Sequence, residues 1–211
     1  MLLALSLSGA FAFAVSGGLA GVRERLDPFG VLVLAAVVGL AGGVIRDVLI
    51  GIRPIAFREW GYLAVVGAAG LLTAFWHPRL ERLRQPIDVL DAGGLALFSV
   101  SGALAALEHG IGAPEAVVLG AISGIGGSIV RDLLVGRVPE VLRRGFYAIP
   151  ALIGAGIVVV AHEAGASGPG FPCLAAATCF GLRLAGLFLD LNLPPAQELP
   201  GRFGSGPRRR R

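Results

Sequence analysis

Arginine and aspartate stand side by side twice in this sequence, as Arg46-Asp47 and Arg131-Asp132, each pair just after clustered glycines. Gly39, Gly42 and Gly43 precede the first pair; Gly124, Gly126 and Gly127 precede the second. The surrounding stretches are apolar, and an Arg or Asp at the centre of a bilayer costs roughly 2.5 to 3.5 kcal/mol on insertion scales. Four such residues left unpaired would cost on the order of 10 kcal/mol. They must be paired, face water, or lie near the membrane interface. Neighbours on a helix project about 100° apart, which predicts that each Arg and Asp seeks partners on other helices rather than its own neighbour.

Clustered glycines bare the helix backbone, so a helix can kink there, approach a neighbour closely, or offer carbonyls to an ion. A straight helix from Pro28 to Pro54 would rise about 39 Å, longer than the hydrocarbon core, which leaves room for a bend or a break. The pattern suits a polar lining beside glycine kinks in a permeation path. The plainer alternative is that Arg46 and Asp47 mark a helix end. Ser16 and Ser101 stand in matched Ser-Gly pairs and would face the same pathway, although such hydroxyls also bond their own helix backbone. Ser123 and Ser128 add hydroxyls to the second stretch alone, and Asp88 and Asp91 read as acidic charges opening a helix.

Other chemistries find no support. His77, His109 and His162 have no second His at ligand spacing, and Cys173 and Cys179 form no CxxC, so no metal and no cofactor is expected. No nucleophile, base and orienter cluster and no nucleotide loop is present, so an enzyme is not expected.

The composition demands lipid around these residues. The 211 residues are 55% hydrophobic and 15% charged, with mean hydropathy +0.79 and 33 glycines, whereas a soluble domain carries about 25% charged residues. Every one of the 18 basic residues is Arg. Arg202 and Arg208 to Arg211 decorate a Gly/Pro tail, which suits contact with anionic lipid better than nucleic acid, since no basic stripe with aromatics occurs.

Stretches free of charge at 1–22, 28–45, 60–76, 92–107, 116–130, 145–161 and 164–182 make seven candidate spans. Strict alternation is absent, so the spans are helices. The first lacks the basic start of a signal peptide and is expected to be a true helix. One set of loops holds Arg23, Arg25, Arg79, Arg82, Arg84, Arg131, Arg137, Arg143, Arg144 and the tail; the other holds Arg46, Arg53 and Arg58. The Arg-rich side is cytoplasmic, which places the N-terminus outside and the C-terminus inside the cell membrane.

Shifting the chain by 85 residues aligns FAVSGGLA (13–20) with FSVSGALA (98–105) and GLAGGVIRDVLIG (39–51) with GIGGSIVRDLLVG (124–136). Pro54 meets Pro139, Arg58 meets Arg143 and Tyr62 meets Tyr147; over 13–62, 18 of 50 positions are identical without a gap. Shared Ser-Gly, Arg-Asp, Pro and Tyr mark a true repeat. Its period holds three helices, so the second copy enters the membrane inverted, an arrangement that puts solute pathways between the copies. The expected fold is an all-α membrane protein of seven transmembrane helices: a first repeat (1–85), an inverted second repeat (86–165), a seventh helix (166–191) and a disordered cytoplasmic tail (192–211).

With the duplicated glycine-cluster and Arg-Asp motif, and three plus three plus one helices, the chain resembles the prokaryotic trimeric intracellular cation channel family, whose sequences are also labelled glycine transporters or uncharacterised membrane proteins. The resemblance spans about 5 to 190. It implies a homotrimer with one pore per protomer, lined by the first two helices of each repeat, passing monovalent cations, potassium before sodium. It implies kink glycines at Gly42, Gly43, Gly126 and Gly127, and polar pore residues at Ser16, Ser101, Ser128, Arg46, Asp47, Arg131 and Asp132. Ala41 stands opposite Gly126, so the glycine triple is incomplete in both copies. A secondary transporter of a small solute such as glycine stays open as the alternative.

Overall fold

The computed structural model describes residues 1–80, 86–143, 145–166, 168–189 and 191. Arg82, Arg84, Arg144 and the tail from 192 lie outside them. Seven long helices follow one another: α1 (Leu2–Arg23), α2 (Pro28–Ile50), α3 (Trp60–Leu80), α4 (Pro86–Glu108), α5 (Ala113–Leu134), α6 (Ala148–Glu163) and α7 (Gly170–Phe188). A helical turn at Glu140–Arg143 and 3₁₀ turns at Ile55–Phe57 and Gly145–Tyr147 lie between them. Helices α1, α2, α4, α5 and α7 are long and apolar enough to cross a membrane; α3 and α6 hold shorter apolar stretches, Trp60–Phe75 and Ala148–Glu163.

Local sequence sets the ends of α2 and α5. Asp27 caps α2 through Gly30 N (2.7 Å), with Pro28 in the first turn, where a missing N–H costs nothing. Past the Arg-Asp pairs each chain turns at a left-handed glycine, Gly51 (φ +84°) and Gly136 (φ +70°), a conformation other residues rarely adopt.

The two repeats pack as inverted counterparts. Helices α1, α2, α4 and α5 form the centre; α3 lies against α1 and α2, as α6 does against α4 and α5. Helix α7 leans on α4 and α6, so it covers one repeat and breaks the pseudo-symmetry. The pseudo-axis passes through Phe13 and Phe98, which stack with ring centroids 5.6 Å apart. Equivalent glycines make equivalent contacts: a Cβ on Gly39 would press on the Ala10 carbonyl oxygen at 2.8 Å, and one on Gly124 on the Leu95 carbonyl oxygen at 2.8 Å.

This packing gives the glycine clusters a contact role beside the expected kink. Both α2 and α5 run as continuous α-helix through them. The glycines bring the two helices together: a Cβ on Gly42 would overlap the Ser123 carbonyl oxygen, and one on Gly127 would sit 3.0 Å from the Val38 carbonyl oxygen. A Cβ on Gly126 would lie 3.3 Å from Gly42 Cα, whereas one on Gly43 would meet Phe98 at an ordinary 3.5 Å.

Candidate functional site

The Arg-Asp pairs lie in the last turns of α2 and α5, hence at opposite ends of an inverted bundle, and all four side chains are buried. The expectation that neighbouring Arg and Asp cannot pair is wrong. Arg46 Nε donates to Asp47 Oδ1 (2.7 Å), and Arg131 Nε donates to Asp132 Oδ1 (3.0 Å). The long guanidinium stem curls back across the angle that separates the two Cβ atoms, because in a site poor in water a carboxylate within reach outweighs the preferred direction. Each Asp also ties down the loop beyond its helix: Asp47 Oδ2 accepts from Ile55 N (2.7 Å) and Asp132 Oδ2 from Glu140 N (2.9 Å). Ile55 and Glu140 are themselves 85 residues apart.

Beyond this shared frame the sites part. Arg131 Nη1 donates to Ser16 Oγ (2.8 Å) and to Asp91 Oδ1 (2.5 Å), and Tyr147 Oη donates to Asp91 Oδ2 (2.6 Å). The Arg183 guanidinium lies 4.2 Å over the Tyr147 ring and 3.1 Å from Glu140 Oε1, so α7 joins the network. Charges of +2 and −3 are interleaved from α4, α5, α7 and the loop before α6.

In the first copy the equivalents of Asp91, Tyr147 and Ser16 are Ser6, Tyr62 and Ser101. The Ser6 and Tyr62 hydroxyls lie within hydrogen-bond reach of each other, whereas Ser101 Oγ and Arg46 Nη1 are buried without a hydrogen-bond partner among the described residues. Ser128 donates to the Ile125 carbonyl of its own helix (2.9 Å), the local bond such hydroxyls favour. Ser123 donates to the Gly42 carbonyl (3.2 Å), linking α5 to α2.

Asp91 needs a second correction, since it is a buried partner of Arg131 rather than a solvated charge opening α4. The repeat offset held the signal, because Asp91 stands opposite Ser6 in an otherwise similar frame. Arg183 is a further polar residue of this site, signalled in the sequence by a charge inside an apolar segment. Tyr62 and Tyr147 are more than repeat markers, since each places a hydroxyl at its Arg-Asp site.

A cavity of about 630 Å³ opens at the second site. Its walls include Asp88, Asp132 and Glu140 with Arg23, Arg131, Arg137 and Arg143. Arg137 is ion-paired with Glu24, which ties the end of α1 to the loop after α5 beside this mouth. At the first site the cleft between Gly39, Gly43, Ile55, Tyr62 and Phe98 has no room for a water molecule. Among the described residues no group of His, Cys, Asp and Glu could hold a metal ion.

A family model described as "Glycine transporter" matches residues 3–78 and again 88–163, once per repeat. The chain is 47% identical over 213 residues to a UPF0126 membrane protein of Streptomyces coelicolor, covering 100% of this chain and 97% of that one. It is 39% identical over 156 residues to the inner membrane protein YadS of Escherichia coli K12, covering 73% of this chain and 75% of that one. Among solved structures, the TRIC trimeric intracellular cation channel orthologue from Rhodobacter sphaeroides superposes with a TM-score of 0.85 at 35% identity, covering 90% of this chain and 98% of the other. A second, reported as a structural basis for conductance through TRIC cation channels, gives 0.82 at 31% identity, covering 90% and 94%. The twice-repeated match, the identity along the whole chain and the shared bundle place the protein in the UPF0126, or glycine transporter, family of membrane proteins, with the fold of the TRIC cation channels.

Proposed function

We propose that the protein is a monovalent cation channel, preferring potassium, with one pore in each protomer of a homotrimer in the inner membrane. The observation that carries this reading is the likeness to a TRIC channel over 90% of the chain at 35% identity. The pathway starts in the cavity at the second Arg-Asp site, on the cytoplasmic side by the Arg distribution, with the C-terminus on that side and the N-terminus outside. Arginines at the mouth of a cation pathway are electrostatically tolerable here because Arg131 is held by Asp91 and Asp132, and Arg137 by Glu24. The route runs between α1, α2, α4 and α5 past Ser16, Arg131 and Asp132, is closed at the stacked Phe13 and Phe98, and leaves past Ser101, Arg46 and Asp47. Gly42, Gly43, Gly126, Gly127 and Ser128 stand at the α2–α5 crossing, which must shift for ions to pass.

A secondary transporter of glycine is the second reading, favoured by the family description that matches both repeats. One paired experiment separates the two. The purified protein in planar bilayers should give unitary potassium currents whose conductance falls at least twofold in Asp132→Asn or Asp47→Asn. Saturable glycine uptake into liposomes without unitary currents would transfer the assignment to transport.

A further inference from the structure

The first Arg-Asp site concentrates poorly satisfied polar atoms: Ser6 Oγ and Tyr62 Oη, which reach only each other, and Arg46 Nη1 and Ser101 Oγ, which have no partner among the described residues, on residues that are 1%, 2%, 3% and 0% exposed. Buried polar groups nearly always find a partner, and each one left without loses its full hydration. These four come from α1, α3, α2 and α4 and are the repeat equivalents of Asp91, Tyr147, Arg131 and Ser16, which bond one another directly. The Tyr62 hydroxyl neighbours Ser6 and lies within electrostatic reach of Arg46. What differs between the sites is one carboxylate: Asp91 in the second, the Ser6 hydroxyl in the first.

We propose that the first site binds a small monovalent anion, a halide or the carboxylate of a small solute, where the Asp91 carboxylate sits in the second. Arg46 Nη1 and the Ser6–Tyr62 hydroxyl pair donate to it, and Ser101 stands at the position from which Ser16 braces Arg131. Guanidinium nitrogens only donate, and a Ser6–Tyr62 pair leaves one hydroxyl proton free to donate, so the cluster matches an acceptor. Asp132, Asp91 and Arg131 sum to −1, whereas Asp47 and Arg46 sum to zero; a bound monovalent anion equalises the two sites. Serine is shorter than aspartate by one carbon and one oxygen, which frees a volume on the order of a single water. The cleft beside Tyr62 is closed to water, so the anion loads only when Gly39, Gly43, Ile55 and Phe98 part. The proposal does not depend on the channel assignment, since it concerns ligand binding and not flux.

The test is thermal unfolding of the full-length protein in detergent, in potassium chloride, bromide, acetate or glycinate, each against potassium gluconate at equal ionic strength. The melting temperature should rise saturably with chloride or bromide if the ligand is a halide, and with acetate or glycinate alone if it is a solute carboxylate. Ser6→Asp, which installs the missing carboxylate, should melt higher than wild type in gluconate and lose the anion response. Tyr62→Phe should fold and bind the anion at least tenfold more weakly. Should Ser6→Asp fail to fold, anomalous scattering from bromide-grown crystals decides, with a peak expected beside Arg46. An identical melting temperature in all anions, an undiminished response in Ser6→Asp, or, where halides raise the melting temperature, no bromide peak at Arg46 would overturn the proposal.

Discussion

The two Arg-Asp sites start from one sequence frame and end as different chemical objects. Around Arg131, helices from both repeats supply Asp91, Asp132, Ser16 and Tyr147 and every one of them bonds, with Arg183 of α7 laid over the tyrosine. Around Arg46, Asp47 keeps its two bonds while the hydroxyls at the other positions bond no charged group among the described residues. The Arg131 site opens into a cavity, whereas the cleft beside Tyr62 has no room for a water molecule. An inverted duplication delivers two copies of a polar frame to the two faces of a membrane, and a single exchange, aspartate against serine, then decides whether that frame is complete in itself.

The difference can be broken by mutation, most strongly at the arginines. Arg131→Met strands two buried carboxylates and should cost about 3 to 5 kcal/mol, read as a fall in melting temperature or loss of monodisperse protein. Arg46→Met strands only Asp47, which keeps its bond from Ile55, and should cost clearly less; equal losses would erase the contrast. Asp91→Ser rebuilds the second site in the image of the first and should cost about 3 kcal/mol, since two hydrogen bonds to a charged group disappear. Tyr147→Phe removes one of those bonds and should cost about 1.5 to 2 kcal/mol, with the ring still under Arg183. Tyr62→Phe in chloride-free gluconate should cost less than about 1 kcal/mol, because its hydroxyl reaches only the Ser6 hydroxyl and no charged group. Ser16→Ala should cost about 1 kcal/mol and, smallest of all, Ser101→Ala nothing measurable in the same buffer. A loss at Ser101 equal to that at Ser16 would mean the first site is already completed by other groups.

The helices and their inverted arrangement were legible because charge-free runs count spans and because Arg-Asp, Pro and Tyr recur at one offset, which apolar residues alone could not establish. Within the sites, legibility stopped where side-chain reach begins. The angle between adjacent Cβ atoms argued against an Arg46–Asp47 pair, but the arginine stem spans that angle. Asp91, one turn into α4, looked like a dipole-compensating charge because nothing local distinguishes a solvated first turn from one covered by α5 and Tyr147. Repeats are read for identities, so the informative mismatch of Ser6 with Asp91 stayed unread. Glycine clusters state that a Cβ is missing without stating why, and at Gly42 the Ser123 carbonyl is a reason the sequence does not show.

The stacked Phe13 and Phe98 lie on the pseudo-axis, where each residue's neighbour is its own counterpart. A change at either ring alters the surroundings of both repeats at once, whereas an exchange of serine for aspartate at Ser6 or Asp91 touches one Arg-Asp site and leaves the other as it was. The axis thus acts as a shared hinge pin of the duplicated gene, leaving divergence, and with it any division of labour between the membrane faces, to residues a few turns away.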